Sequence, residues 1–264
     1  MLLRSSSPLG SSKLNLEWWS LDDRSLRRRL SLEGDVDPEQ VRVRAFNPAA
    51  RLFAAGLSDG IVRVWSMRTG KILHTFGLPD HVDGHPTVRI PVNRIAISPD
   101  GSLLAAGTMG HSQVAVFSLK EDRLLYSHHV RPLYRIVDRY DDLGVLAFLG
   151  FSPDGRLLVT TDLTERGINV SDARTGRAVG QLSGHRDYTA QVAFSPDGKT
   201  LASTGGDGSV RLWHLATQRE LATLYESGAS SVAFSPDGSA LFVGFDDEVA
   251  VLSAPTLADI DRGP

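Results

Sequence analysis

Cysteine is absent from all 264 residues, so neither disulfides nor thiolate-held metals contribute to this fold. A cysteine-free chain fits either redox compartment, and the count alone does not locate it. An excess of one charge is also lacking. Lys and Arg total 28 against 31 Asp and Glu, and the net charge of -3 supplies no global attraction for nucleic acid or an anionic membrane. Long hydrophobic runs are missing too. The longest apolar stretch, 143–151, is broken by glycines and falls far short of the ~18 residues that could span a bilayer. Leu2 and Leu3 lead into polar residues instead of the roughly 7 to 15 apolar residues of a secretion signal. A soluble, cytoplasmic protein is expected, with neither nucleic acid nor membrane as partner.

What the sequence does hold is a repeat. The phrase AFNPAA at Ala45 returns as AISPDG at Ala96, GFSPDG at Gly150, AFSPDG at Ala193 and AFSPDG at Ala233. Its prolines stand at 48, 99, 153, 196 and 236, and periods of roughly 40 to 50 residues indicate propeller blades. The unit around Pro196 shows the internal order. Val192-Ala193-Phe194 is β-rich, Ser195-Pro196-Asp197-Gly198 is turn chemistry and Leu201-Ala202-Ser203 is a second strand. Gly206-Asp207-Gly208 turns again, and Val210-Arg211-Leu212-Trp213 alternates. A leucine-bearing stretch then supplies a fourth, outer strand. Four such strands joined by short turns make one antiparallel blade.

Gly184-His185, Asp207 and Trp213 resemble the glycine-histidine, turn aspartate and strand tryptophan of the WD-repeat family. The Asp-to-Trp spacing recurs at Asp59 and Trp65. Elsewhere the signature degrades: Phe117, Ser171 and Leu252 replace the tryptophan, and His111, Glu165 and Asp246 stand at the turn. The dipeptide that names the family is mostly replaced, by Trp65-Ser66, Trp213-His214 and Ser171-Asp172. The resemblance covers about residues 41–252, and the SPDG phrases look like those of bacterial members. It implies a β-propeller acting as a platform for complex assembly.

His185, Ser203 and Asp207 are also the residue types of a hydrolytic triad. No G-x-S-x-G elbow accompanies them. The resemblance implies instead that His185, Ser203, Asp207 and Trp213 form a buried structural tetrad, in keeping with an indole that can only donate and so needs an acceptor. Gly198-Lys199-Thr200 imitates the tail of a phosphate loop, but Ala193 stands where its first glycine should be. Asp80, His81, Asp83 and His85 are the densest set of metal-ligand types, with Gly84-His85 read more simply as a second glycine-histidine pair. His128 and His129 fall on opposite faces of a strand, which argues against one shared metal. Arg24, Arg27, Arg28 and Arg29 read as a solvated edge that blocks strand pairing. The sequon at Asn169 falls inside a strand and is discounted.

The expected architecture is all-β: a propeller of four-stranded antiparallel blades over residues 14–260, with a disordered tail at 1–13. Five repeats fall near 41–78, 92–129, 145–183, 189–226 and 229–260, preceded by an N-terminal half-blade. Leu14 to Leu21 imitates Ile61 to Met67, so the chain begins mid-blade with a third and a fourth strand. Closure by lending residues 25–32 to the last blade would give five blades. An incomplete ring that self-associates through an open edge near Trp18 and Trp19 is the favoured alternative. No cofactor, metal or catalysis is expected, and the function is a protein–protein interaction scaffold or the regulatory part of a larger bacterial signalling enzyme. The long connections 79–91 and 130–144 are the expected contact loops, the second carrying Arg131, Tyr134, Arg135 and Tyr140 as anchors.

Overall fold

The computed structural model describes residues 2–6, 13–34, 36–79, 90–108, 112–130, 145–226 and 228–253. They form six antiparallel sheets in chain order. The first holds β1 (Leu2–Ser6), β2 (Asn15–Trp19) and β3 (Leu26–Ser31). Four-stranded sheets follow: β4 (Val41–Asn47) to β7 (Ile72–Gly77) through β5 (Leu52–Leu57) and β6 (Ile61–Ser66), then β8 (Val92–Ile97) to β11 (Arg123–His129) through β9 (Leu103–Thr108) and β10 (Gln113–Ser118). The fourth runs from β12 (Leu146–Phe151) through β13 (Leu157–Asp162) and β14 (Ile168–Asp172) to β15 (Ala178–Leu182). The fifth comprises β16 (Thr189–Phe194), β17 (Thr200–Gly205), β18 (Ser209–His214) and β19 (Arg219–Glu226). The sixth has β20 (Ser231–Phe234), β21 (Ala240–Gly244) and β22 (Val249–Ser253). No helix among the described residues is long and apolar enough to cross a membrane.

The repeated turn explains the regularity of these sheets. Ser98 Oγ donates to Asp100 Oδ1 at 2.6 Å and accepts from Leu103 N at 2.9 Å, closing the turn from β8 to β9 on itself. Ser152 with Asp154, Ser195 with Asp197 and Ser235 with Asp237 repeat the bond at 2.6 Å. The glycine of each turn takes a positive φ, +72° at Gly155, which a side chain would strain. Asn47 replaces the serine in the second sheet and reaches across to the Ser98 carbonyl at 2.7 Å, tying one turn to the next.

Five core clusters lie between consecutive sheets. Leu16, Val41, Phe53 and Trp65 join the first to the second; Val64, Phe76, Ile95 and Phe117 join the second to the third. Val116 and Leu149, then Val159 and Trp213, then Val210 and Val243 continue the series. Among the described residues no sixth cluster joins the last sheet to the first, and no sheet closes into a ring. Closure by residues 25–32 is therefore not what the chain adopts. β3 pairs with β2 in its own sheet, Leu16 opposite Leu30, because both leucines face the Phe53 and Trp65 core.

The N-terminal sheet departs from expectation in a second way. Leu2–Ser6, placed in the tail by the sequence reading, forms β1 and pairs with β2, Ser5 opposite Leu16. The polar repeat of Arg4, Ser5 and Ser6 hides the pattern of a strand. Its outer face holds a nearly buried Glu17, which accepts from Arg29 Nε at 3.0 Å and meets Arg4 at 3.5 Å. Trp18 and Trp19 are half-buried and not open, since Arg28 lies 4.8 Å over the first ring and Arg4 5.9 Å over the second.

Candidate functional site

The fifth sheet carries the polar network at its most complete. Trp213 on β18 is fully buried, so its indole needs an acceptor, and it donates to Ser203 Oγ on β17 at 2.8 Å. Ser203 Oγ donates onward to His185 Nε2 at 2.7 Å, and His185 Nδ1 donates to Asp207 Oδ1 at 3.0 Å. Asp207 also accepts from Arg186 N at 2.7 Å, Ser209 N at 3.1 Å and Ser209 Oγ at 2.7 Å. The bonds run one way along the chain of four side chains and assign a neutral His185 protonated on Nδ1.

The titration directions agree with that assignment. Burial lowers the His185 pKa below its ordinary value, and the Asp207 contact offsets only part of this. Burial opposes ionisation of Asp207, but the bonds from Arg186, Ser209 and His185 outweigh it and hold the carboxyl well below the usual carboxylate range. The structure thus brings His185, Ser203, Asp207 and Trp213 together. Their order is that of a triad, yet Ser203 is completely buried and its oxygen is already an acceptor for Trp213, so no substrate carbonyl can reach it.

Other sheets solve the same packing differently. Trp65 donates to the Glu33 carbonyl at 2.9 Å, with Asp59 accepting from Ile61 N at 3.1 Å. Phe117 removes the donor and stacks on Phe76, centroids 4.5 Å apart. In the fourth sheet a fully buried Asp162 accepts from Thr164 N at 2.7 Å and from the Ser112 hydroxyl of the preceding sheet. The sequence reading missed Asp162. A carboxylate at the end of a strand that opens on three apolar residues, LLVTTD, was the available signal.

Above the fifth-sheet network lies a shallow polar depression lined by Arg186, Asp207, Ser209, Arg211 and Thr223. Arg211 Nη1 donates to Glu220 Oε2 at 2.7 Å, and Glu220 Oε1 accepts from Thr223 Oγ1 at 2.6 Å. The remaining candidates are ordinary structure. Lys199 lies in an exposed turn beside Asp197, and Asn169 Oδ1 accepts from Gln181 Nε2 at 3.1 Å. Two of the four arginines of the basic run are paired: Arg27 meets Asp23 at 2.6 Å and Arg29 meets Glu17 at 2.8 Å. Arg131, Tyr134, Arg135 and Tyr140 lie outside the described residues, as do the histidines and aspartates of 80–85 and His111. Among the described residues no group of three or more His, Asp or Glu side chains could hold a metal.

Three stretches of the chain match known repeats, each running from the last strand of one sheet through the first three of the next. The family model described as WD domain, G-beta repeat matches residues 29–66, 70–118 and 176–214. An uncharacterized WD repeat-containing protein of Synechocystis is 33% identical over 58% of this chain and 41% of its own length. A periodic tryptophan protein 2 homolog of Dictyostelium discoideum is 27% identical over 82% of the chain and 22% of its own length. A nuclear distribution protein PAC1 of Arthroderma otae is 27% identical over 65% and 35%. The chain spans less than half the length of each of these relatives.

Proposed function

Because this chain belongs to the WD-repeat family of β-propellers, we propose that it is a non-catalytic scaffold on which other proteins assemble. One observation carries the reading: the residues with the look of chemistry are consumed in holding a blade, since Ser203 is buried between Trp213 and His185. What faces outward is a succession of loops on a rigid frame, where sequence can vary without disturbing the cores. The loop 130–144, with Arg131, Tyr134, Arg135 and Tyr140, is one contact region in this reading, and the cytoplasm is its setting. Affinity capture with mass spectrometry, wild type against the variant with those four residues changed to alanine, is the test. Partners lost in the variant support the assignment, and an unchanged set removes this loop. Retention of no partner by the wild-type chain would count against the scaffold itself.

A second reading is favoured by one feature. The last sheet turns Phe242, Val249 and Val251 to solvent, 38%, 64% and 55% exposed. By register these residues match Ala202, Val210 and Leu212, which in the fifth sheet face the next sheet's core. Such a face suits self-association, or a further blade if the chain is the regulatory part of a larger bacterial signalling enzyme. The SPDG phrases and the likeness to the Synechocystis protein support bacterial-type repeats. Reading the encoding DNA for an in-frame continuation joined to a catalytic domain separates the two.

A further inference from the structure

The net charge of -3 hides a division between the two edges of the sheets. In each four-stranded sheet the turn from first to second strand and the turn from third to fourth lie at the same edge, as an antiparallel meander requires. A repeated bond joins them. Met67 N donates to the Arg51 carbonyl at 2.8 Å, and Leu119 to Ser102, Ala173 to Arg156 and Leu215 to Lys199 repeat it. The turns also touch from sheet to sheet. A Cβ added at Gly101 would meet Ala50, one at Gly155 would meet Pro99 and one at Gly198 would meet Pro153, so the turns form one continuous surface.

Its charge follows the register. Ile72, Leu124, Ala178 and Glu220 oppose equivalent residues of the third strands, and the residue before each is Lys71, Arg123, Arg177 or Arg219. All four are exposed. Arg68, Lys120 and Arg174 stand earlier in the same turns, and Arg51, Arg156 and Lys199 share one position of the other turns, all exposed. The carboxylates here are fewer and largely committed. Asp100, Asp154 and Asp197 accept from the serines of their own turns, and Glu121 pairs with Arg123 at 2.6 Å. Among the described residues the side chains of Arg51, Arg68, Lys71, Lys120, Arg177 and Arg219 form no ion pair. At the opposite edge of these four sheets the balance reverses: among the described residues Asp59, Glu165, Asp187 and Asp207 lie with only Arg166 and Arg186.

We propose that the edge formed by these turns docks an extended, acidic segment of a partner protein, whose carboxylates meet the repeated cations sheet by sheet. Packed sheets lie roughly 10 Å apart, a distance an extended chain covers in about three residues, so a carboxylate at every third position matches the repeat. The aspartates of the turns divide the positive charge into separate spots, which suits single side chains. A DNA duplex, with one charge per about 1.7 Å, would set phosphates against Asp154 and Asp197. The turns also hold no aromatic side chain on which an unpaired base could stack. This rests on the scaffold reading and gives one partner its chemistry; the two fail separately, since affinity capture asks whether partners exist and the following titration asks what this edge binds.

The main probe is a labelled, end-blocked peptide of about 15 residues with glutamate at every third position and serine between, titrated into the full chain by fluorescence anisotropy. A lysine counterpart, a DNA duplex of about 15 base pairs and phosphatidylserine-containing vesicles are the comparisons. The glutamate peptide is expected to bind most tightly of the four, and more weakly as salt rises. Arg174→Glu with Arg177→Glu should weaken it at least about tenfold, by replacing two exposed charge pairs with two repulsions. Arg68→Glu with Lys71→Glu should do the same from the second sheet. The same charge change away from this edge, in Arg42→Glu with Arg166→Glu, should leave binding within about twofold, and melting curves like the wild type's establish that the variants are folded. No binding of the glutamate peptide, equal losses in all three folded variants, or tighter binding of the duplex or the vesicles would overturn the proposal. So would a dimer, seen without peptide, that Arg174→Glu with Arg177→Glu dissolves, because a second copy would then occupy the edge.

Discussion

Trp213 shows how one side chain sets the demands on its neighbours. Its ring fills the space between Val159 on one sheet and Leu201 on its own, and its N–H then fixes Ser203, His185 and Asp207 in turn. Trp213→Ala removes both packing and donor and should lower stability by about 3 to 5 kcal/mol, read by chemical denaturation. Trp213→Phe keeps most of the packing and should cost less, about 1 to 3 kcal/mol for the broken network. Loss of an activity with wild-type stability in either variant would defeat the structural role. The same network sets a pH dependence. His185 and the half-buried His128 both have pKa values lowered by burial, so each binds its proton more readily when unfolded. Stability is then full above a pH of about 6.5 and declines as the pH falls below it. A second loss follows below about pH 4, where Asp207 and Asp237 protonate in the unfolded chain first; Asp237 is held at about 2 by Ser235 and by both donors of Ser239. Thermal melts from pH 8 to pH 3 should show both steps, with the first reduced in His128→Gln. A flat profile between pH 7 and pH 5 would contradict the neutral His185.

At the scale of the element, strands with an alternating pattern and a flanking SPDG turn were legible in the sequence, because turn chemistry is local. Those whose character depends on a distant neighbour were not. β1 reads as a polar tail because its partner is β2, and Arg44 reads as an ordinary surface charge until its register is compared with Ile95 and Leu149. The turns also differ in a way that sequence hides. A Cβ on Gly155 would stand 3.6 Å from Pro99, an ordinary contact, whereas one on Gly101 would stand 2.4 Å from the Ala50 side chain. Gly155→Ala should thus cost only the left-handed backbone, about 1 to 2 kcal/mol. Gly101→Ala should cost more, by the overlap with Ala50, and denaturation of the two variants side by side decides this. Equal losses would show that the turn from β4 to β5 can shift out of the way.

The whole molecule is less legible than its parts, since the number of blades follows from the repeat but ring closure depends on which ends are compatible. The two ends differ. The first sheet carries a polar face in which Arg4 and Arg29 cover Glu17. The sixth sheet turns outward Phe242, Val249 and Val251, and among the described residues it has three strands where the inner sheets have four. Packing that apolar face on the charged one would strip water from Arg4 and Arg29 without new partners, so closing the arc on itself is unfavourable. Pairing two copies through their sixth sheets buries like against like. The purified chain should therefore show a weight-average mass that rises with concentration in light scattering, reaching a dimer. Val249→Lys with Val251→Lys should hold it at the monomer mass while leaving its melting temperature unchanged, because both valines are exposed in the single chain. A wild-type chain that stays monomeric over a wide concentration range would show that the face is not self-complementary, and a dimer that survives both substitutions would place the contact elsewhere.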